Sequence, residues 1–470
     1  MSNLKNHYHV LIIGSGFSGM AAASFLADYD LNILLLDENI HIGGQLLRRI
    51  PEKLAEDSPH PPEKIKKIGY NFVEKVKEKK IDLLNKTVLM GVYENNKVLV
   101  ERDRKETFTF TYDFLLFATG ARERYLPFKG WTLPGVYSTG MLQVLMKSWG
   151  VLPAKKMLIA GSGLFLFAAA YEFLKNGGEL QGIMEQSPFG NKIKFLPQVF
   201  HQFPKFTDGG RYLSKIYSSG VPVKYRRRVL EARGDKQLEE VVVGKVDRKG
   251  SLIKGTEKTY STKALAVGYG FVPSIEAPQL AGCELEYSQQ KGGWTVKVND
   301  RMETSVENIL AAGEVTGVGG AHKSLNEGKI AASTILEKWG LQSEAFPPKK
   351  VKKLQKKRKH HLSFVRCFNS LYKVKPESIL EIPDETIVCR CESIDMKQIK
   401  EAVGMGCADP NALKISTRCA MGKCQGRTCA PVIYDILQIL CRKTPQEIGL
   451  FSVRPPFKPI SIHALKNFSQ

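Results

Sequence analysis

At 470 residues the chain is too long for one ordinary hydrophobic core, and 43% hydrophobic with 25% charged residues is a globular composition that sets aside disordered and fibrous classes. Part of the net charge of +22 is concentrated in "PPKKVKKLQKKRKHHLSF", residues 347–364. With no aromatics among its cations this run does not suit a single-strand nucleic-acid binder; a solvated linker or helix face, with Val351 and Leu354 as its apolar stripe, is favoured over a phosphate or anionic-lipid patch.

The longest apolar run, "GLFLFAAAYEFL", is shorter than the roughly 18 to 20 residues that cross a bilayer, and no secretion leader is visible. The expectation is a cytoplasmic chain without a transmembrane segment, free or peripheral to the inner face of the membrane.

In chain order, "YHVLIIGSGFSGMAAASFLADYDLNILLLDEN" predicts a buried strand at Val10 to Ile13, a glycine turn, an alanine-rich helix, and a strand from Ile33 to Leu36 that ends at Asp37. Gly14 permits the tight turn, Gly16 lets a pyrophosphate approach the backbone, and Gly19 lets helix and strand pack closely. The phosphates meet the free N–H groups and dipole of the helix start, and Asp37 can accept from adenosine ribose hydroxyls. "IGGQLLRR" follows at 42–49, and "YDFLLFATGARERYLPFKG" places an apolar strand before Ala118-Thr119-Gly120.

A second unit, "KKMLIAGSGLFLFAAAYEFLKNGGELQGIMEQ", has a strand at Met157 to Ala160, a turn at Gly161 and Gly163, a helix, and Glu185 after the next strand. Leu166 stands where the third glycine or alanine belongs, which weakens the case for a tightly bound nicotinamide dinucleotide; a nucleotide site and a purely structural repeat both stay open. "ALAVGYGFVPS" repeats the strand-and-glycine shape, and "VENILAAGEVTGVGGAHKSLNEGKIAAS" gives a strand, Gly313-Glu314 and a small-residue helix. His322 reads as a helix-entry residue and Lys323 as a candidate to stabilise charge on a reduced flavin. Arg122 and Arg124 face phosphate or solvent.

Over about residues 7–345 these segments resemble the two-dinucleotide-domain flavoproteins that include glutathione and thioredoxin reductases. The resemblance implies an α/β fold with two Rossmann-like three-layer domains, and FAD held by Gly14, Gly16, Phe17, Ser18, Gly19, Asp37, Glu38, Gly44, Gln45, Thr119, Gly120, Ala121, Gly313 and Glu314. Gly161, Gly163 and Glu185 are the candidates for a second nucleotide, ATP or NAD(P). Disulfide reductases of that group relay electrons through a cysteine pair, yet "GGQLLRRIPEK" and residues 130–275 contain no cysteine. Electrons must leave the flavin by another route.

Seven of nine cysteines lie after residue 388. Cys389 and Cys391 form one clasp, and Cys424 with Cys429 a second, 32 residues on. Thiolates suit zinc or iron–sulfur centres; the C-x-C clasp is tighter than the usual zinc chelate and favours a 2Fe–2S cluster, with zinc the alternative. Cys419 is a rival for a ligand place, ranked below Cys429, whereas Cys407 and Cys441 read as small buried residues. This spacing is similar to bacterioferritin-associated ferredoxin, a small helical 2Fe–2S domain, which implies Cys389, Cys391, Cys424 and Cys429 as ligands.

The combination, through "ATGARERYLPFKGWTLPGV", "VGYGFVPS" and "TRCAMGKCQGRTC", resembles the larger, or alpha, subunits of dye-linked L-proline dehydrogenases, opine oxidases, D-hydroxyproline dehydrogenases and hydrogen cyanide synthase. It implies a partner in the form of an amino-acid-oxidase-like beta subunit, an FMN between subunits in some members, and electron flow to a dye or quinone-like acceptor. A stand-alone NAD(P)H-dependent reductase is the alternative, and a redox-silent scaffold a third reading. The expected organisation is an FAD domain at 1–130 and 276–345, a second nucleotide domain at 131–275, a basic linker at 346–380 and a 2Fe–2S domain at 381–470.

Overall fold

The computed structural model describes residues 4–48, 64–188, 203–341 and 344–466. The strand His7–Ile13 (β1) is apolar on both faces because it is central. Val10 stands opposite Ile33 of Ile33–Leu36 (β2), and Leu11 opposite Leu115 of Glu106–Phe117, both pairings parallel. The sheet runs Asp82–Leu84, β2, β1, Glu106–Phe117, Lys97–Arg102, Thr87–Tyr93. Ile309–Ala311 returns from late in the chain to pair with Glu106–Phe117, so two distant segments build one domain. Phe17–Leu26 (α1) buries Ala21, Ala22 and Ala23 completely. A Cβ on Gly19 would sit 1.9 Å from the Gly14 carbonyl oxygen, so only glycine allows this crossing.

The second fold repeats the plan. Lys156–Gly161 (β3) leads into Leu164–Lys175 (α2) and then Glu179–Glu185 (β4). They belong to a five-stranded parallel sheet ordered Val223–Tyr225, β4, β3, Leu265–Gly268, Val136–Ser138. Leu166 is fully buried against Gly268, where a Cβ would stand 3.3 Å from its Cδ2 and only 2.3 Å from Thr139 Oγ1, whereas in the first fold glycine is on the helix and Ala118 on the strand.

Ala321–Lys338 (α3) returns to the first fold and crosses α1 so closely that a Cβ on Gly328 would meet the Ser18 carbonyl oxygen at 2.2 Å. The basic run is the 24-residue helix Pro348–Leu371 (α4). Leu354, Arg358 and Leu362, four residues apart, are buried, while Lys349, Lys352, Lys353, Lys356 and Lys359 are exposed. The segment is therefore solvated on one face only.

The C-terminal region is small and helical. A hairpin of Ile387–Cys389 with Ile394–Asp395 leads to Met396–Gly404, started by a capping box of Asp395 and Gln398. Pro410–Thr417 and Ala430–Cys441 (α5) complete it. The tail runs back to the first fold: Phe457 N–H donates to the Met90 carbonyl (3.1 Å), Lys458 pairs with Glu38 (2.6 Å), and Ser461 N–H donates to Glu101 (2.6 Å).

Candidate functional site

Asp37 Oδ2 accepts from Ser15 N–H (2.7 Å) and Ser15 Oγ (2.6 Å), and its Oδ1 from Asn39 N–H (2.8 Å), which fixes the carboxylate at the end of β2. α1 starts at Gly16 without a side-chain cap, leaving first-turn N–H groups for an anion. The Gly43–Gly44 turn folds onto it, with Gly43 N–H donating to Ser15 O (3.0 Å) and Gly44 lying against Gly16. A Cβ on Gly16 or Gly120 would meet nothing within 4 Å, so both backbones are open to a ligand. α3 likewise starts at an uncapped glycine, Gly320. Uncapped helix starts, open glycine backbone and a placed ribose acid fit the phosphates and adenosine of FAD.

Several candidates are occupied within the protein. Thr119 Oγ1 donates to Ser274 O (2.9 Å), Gln45 Oε1 accepts from Arg48 Nε (2.7 Å), and Glu314 Oε1 accepts from Gly319 and Gly320 N–H (3.0 and 2.5 Å), closing its own loop. Phe17 and Ser18 are in the first turn of α1, with Ser18 against Gly313, and Ala121 opens Ala121–Glu123. Residues 49–53 of "GGQLLRRIPEK", and the Cys367 side chain, lie outside the described residues.

Beneath this loop is a fully buried charge network. Lys323 Nζ donates to Gly313 O (2.6 Å), Thr316 Oγ1 (2.6 Å) and Gly317 O (2.8 Å), and lies 2.8 Å from Glu327. Glu327 accepts from Gly313 N–H (2.8 Å) and from Arg358 Nε of α4 (2.7 Å). Burial pushes the Glu327 carboxyl up, but Lys323 and Arg358 outweigh it and hold it below the ordinary range. Burial lowers Lys323 below the ordinary lysine range, with Glu327 pulling the other way. The charge of Lys323 is thus spent on the loop. The sequence offered the Lys323–Glu327 spacing of four; nothing in it singled out Arg358 within a run of cations.

At the second turn Glu185 accepts from Gly163 N–H (3.2 Å) and Ser187 N–H (2.9 Å), in the manner of Asp37. It is fully buried, and the chain itself lies over it: the Tyr372 carbonyl accepts from Ser162 Oγ (3.5 Å), and Gln186 Nε2 donates to Ser378 Oγ (2.7 Å).

In the C-terminal region Cys389, Cys419 and Cys429 are at most 1% exposed, with sulfurs all within 4.8 Å of one another. Cys391 is exposed and bonded to the backbone and thiol of Cys424. A Cβ on Gly422 would come 2.3 Å from Cys391 Cβ, so glycine brings the second clasp against the first. Hydrogen bonds from Cys419, then Cys429, hold the Cys389 thiol well below the ordinary thiol range; hydrogen bonding to Cys389 pushes Cys419 and Cys429 up. Among the described residues no disulfide ties these sulfurs. Three buried, converging sulfurs, with the Cys391–Cys424 pair beside them, fit a thiolate-bound metal or iron–sulfur centre. Cys407 and Cys441 stand outside this group, half-buried.

Arg122 and Arg124 are paired within the protein. Arg122 forks onto Glu276 (3.0 and 2.6 Å) and donates through Nε to the Arg427 carbonyl (2.9 Å), and Arg124 pairs with Asp435 of α5. Trp131 Nε1 donates to Ile387 O (2.6 Å). Between the two regions is a cavity of about 480 Å³ lined by Arg122, Tyr287, Trp294, Met421, Tyr434 and Asp435.

Paired glycine turns, a placed ribose acid and a buried thiol group define a two-nucleotide-domain flavoprotein oxidoreductase with an added cysteine domain. The pyridine nucleotide-disulphide oxidoreductase family model matches residues 8–332, and the sarcosine oxidase A3 domain matches 384–467. The chain belongs to this family, in the group that includes the hydrogen cyanide synthase protein HcnB and its opine oxidase counterparts. It is 32% identical to HcnB of Pseudomonas aeruginosa over 97% of this chain and 98% of that protein. To the opine oxidase counterpart of Rhizobium meliloti it is 28% identical, over 99% of this chain and 88% of that one. The fold is that of L-proline dehydrogenase from P. horikoshii, with a TM-score of 0.70, 21% identity, and coverage of 98% of this chain and 79% of that one.

Proposed function

We propose that the chain is the electron-transferring, larger subunit of a heteromeric amino-acid dehydrogenase or oxidase of the proline, hydroxyproline, opine or glycine type. FAD lies along the Gly14–Gly19 turn, Asp37 and the Gly313 loop, and a 2Fe–2S cluster is held by Cys389, Cys391, Cys424 and Cys429. When bound, the flavin would take two electrons together and release them one at a time, and the cluster would carry them singly, so the two together would split pairs. Substrate is oxidised on a partner flavoprotein subunit, and this chain passes the electrons to a dye or quinone-like acceptor. That HcnB and its opine oxidase counterpart are both named as subunits supports the partner.

The carrying observation is the joint at Arg122, which ties Glu276 to the Arg427 carbonyl, in the loop between Cys424 and Cys429. It fixes the thiol group against the nucleotide fold. The cover over Glu185 supports a second fold that keeps adenosine contacts at most and does no nicotinamide chemistry. Among the described residues no helix is long and apolar enough to cross a membrane; we propose a cytoplasmic location, free or peripheral to the inner face of the membrane, with the lysine face of α4 solvated.

The test is anaerobic co-purification with the partner, flavin, iron and sulfide analysis, and a dye-reduction screen over proline, hydroxyproline, opines, sarcosine and glycine. Rapid flavin bleaching by NADH or NADPH, with no amino acid active, would overturn the proposal.

A further inference from the structure

We propose that Cys419 is a metal-ligating residue, sharing with Cys429 the place beside Cys389. The inference rests on the cluster reading above but departs from its four-ligand set. The exposed side of the thiol group offers one pair, Cys391 and Cys424. The buried side offers three sulfurs where a two-iron cluster with four thiolates needs two.

The spacing is that of ligands. The Cys419 and Cys429 sulfurs are 4.0 Å apart and each lies within 4.8 Å of the Cys389 sulfur, so either can supply the thiolate beside Cys389, close to the roughly 3.8 Å that separates two sulfurs bound to one tetrahedral ion by bonds of about 2.3 Å. Both also bond Cys389. Arg418 ends the helix Pro410–Thr417 as a left-handed C-cap, its N–H on the Lys414 carbonyl, and Ala420 after Cys419 also holds a left-handed φ of 69°; this tight turn carries Cys419 from the helix end into the thiol group.

Packing alone asks for no such turn. Cys283, the buried thiol of the first domain, has no sulfur beside it among the described residues and bonds only the Thr304 hydroxyl (3.6 Å). A small apolar residue would fill the Cys419 site without aiming at two sulfurs.

The experiment compares C419A, C429A, the double variant and C389A in the full chain with its partner. Readouts are iron and acid-labile sulfide per chain, the paramagnetic resonance of the reduced sample, and flavin content with melting temperature as the check on folding. We expect each of C419A and C429A to keep more than half of the wild-type iron and sulfide with a shifted resonance. The double variant and C389A should lose both while retaining flavin. C429A devoid of cluster beside a C419A unchanged in content and resonance overturns the proposal.

A wild-type chain without iron or sulfide defeats the cluster reading instead, and zinc titration then decides about Cys419. At least a tenfold weaker zinc affinity in C419A upholds it as a ligand; equal affinity, or no zinc binding by wild type, overturns it. If the double variant fails to fold, the resonance or zinc affinity of C419A alone settles the matter.

Discussion

The two nucleotide folds use the same turn for different ends. In the first, Gly19 on α1 lets helix and strand touch, the backbones of Gly16 and Gly120 stay open, and the loop at Gly313 is braced from below by Lys323, Glu327 and Arg358. In the second, Leu166 puts bulk on the helix, Gly268 makes room chiefly for Thr139 and then for Leu166, and Tyr372 and Ser378 bond the residues on either side of the acid. Both helix starts are uncapped, both turns keep an open glycine, Gly16 and Gly163, and both acids are buried, so a glycine fingerprint specifies a strand–helix crossing and the chain laid beside the second acid is what sets the two folds apart.

Exchanging the two crossings breaks the comparison most severely. Gly19→Leu drives a side chain into the Gly14 carbonyl and should abolish soluble, flavin-bearing protein, as measured by expression and flavin content. Glu327→Gln leaves buried Lys323 without its anion and Arg358 with only the half-exposed Asp300 at 3.6 Å, a loss of about 3–5 kcal/mol by denaturant melting, with flavin released in parallel. Leu166→Ala opens a cavity of its own and should cost about 2–5 kcal/mol, yet flavin per folded chain should stay at the wild-type value. Flavin loss in that variant would mean the second fold bears on the first site.

The network also sets a pH limit. With the Glu327 carboxyl held below the ordinary glutamate value of 4.5, its stabilisation is complete above that value and is lost as pH falls through its folded-state pKa. Wild type should therefore destabilise below about pH 4.5, and Glu327→Gln should show a shallower acid limb in the same melts. The smallest effect is expected from Glu38→Gln: the carboxylate is more than half exposed, water screens its pair with Lys458, and the change should be within about 1 kcal/mol.

Much of this was legible in the sequence because local geometry carries it. Gly14 to Gly19 and Asp37 act through chain neighbours or through a fixed strand–helix order, whereas the two cysteine clasps are split in the fold, Cys389 lying with Cys419 and Cys429 and Cys391 with Cys424. What was not legible depended on tertiary direction. Arg358 sits among like cations, and only its position on the buried side of α4 sends it to Glu327. Glu314 has the right place for a ligand contact but folds onto Gly319 and Gly320. Arg124 finds its anion, Asp435, on a helix more than three hundred residues away. Cys419 looked secondary by spacing, and the turn that aims it inward is set by φ values that no residue type announces.

The returning tail has a mechanical consequence. Because Phe457, Lys458 and Ser461 fasten the chain end to the domain where it began, the cysteine-bearing region is moored at both of its ends. A module moored twice cannot swing like an arm, so the distance from its thiol group to the first fold is set by folding and not by diffusion of a domain.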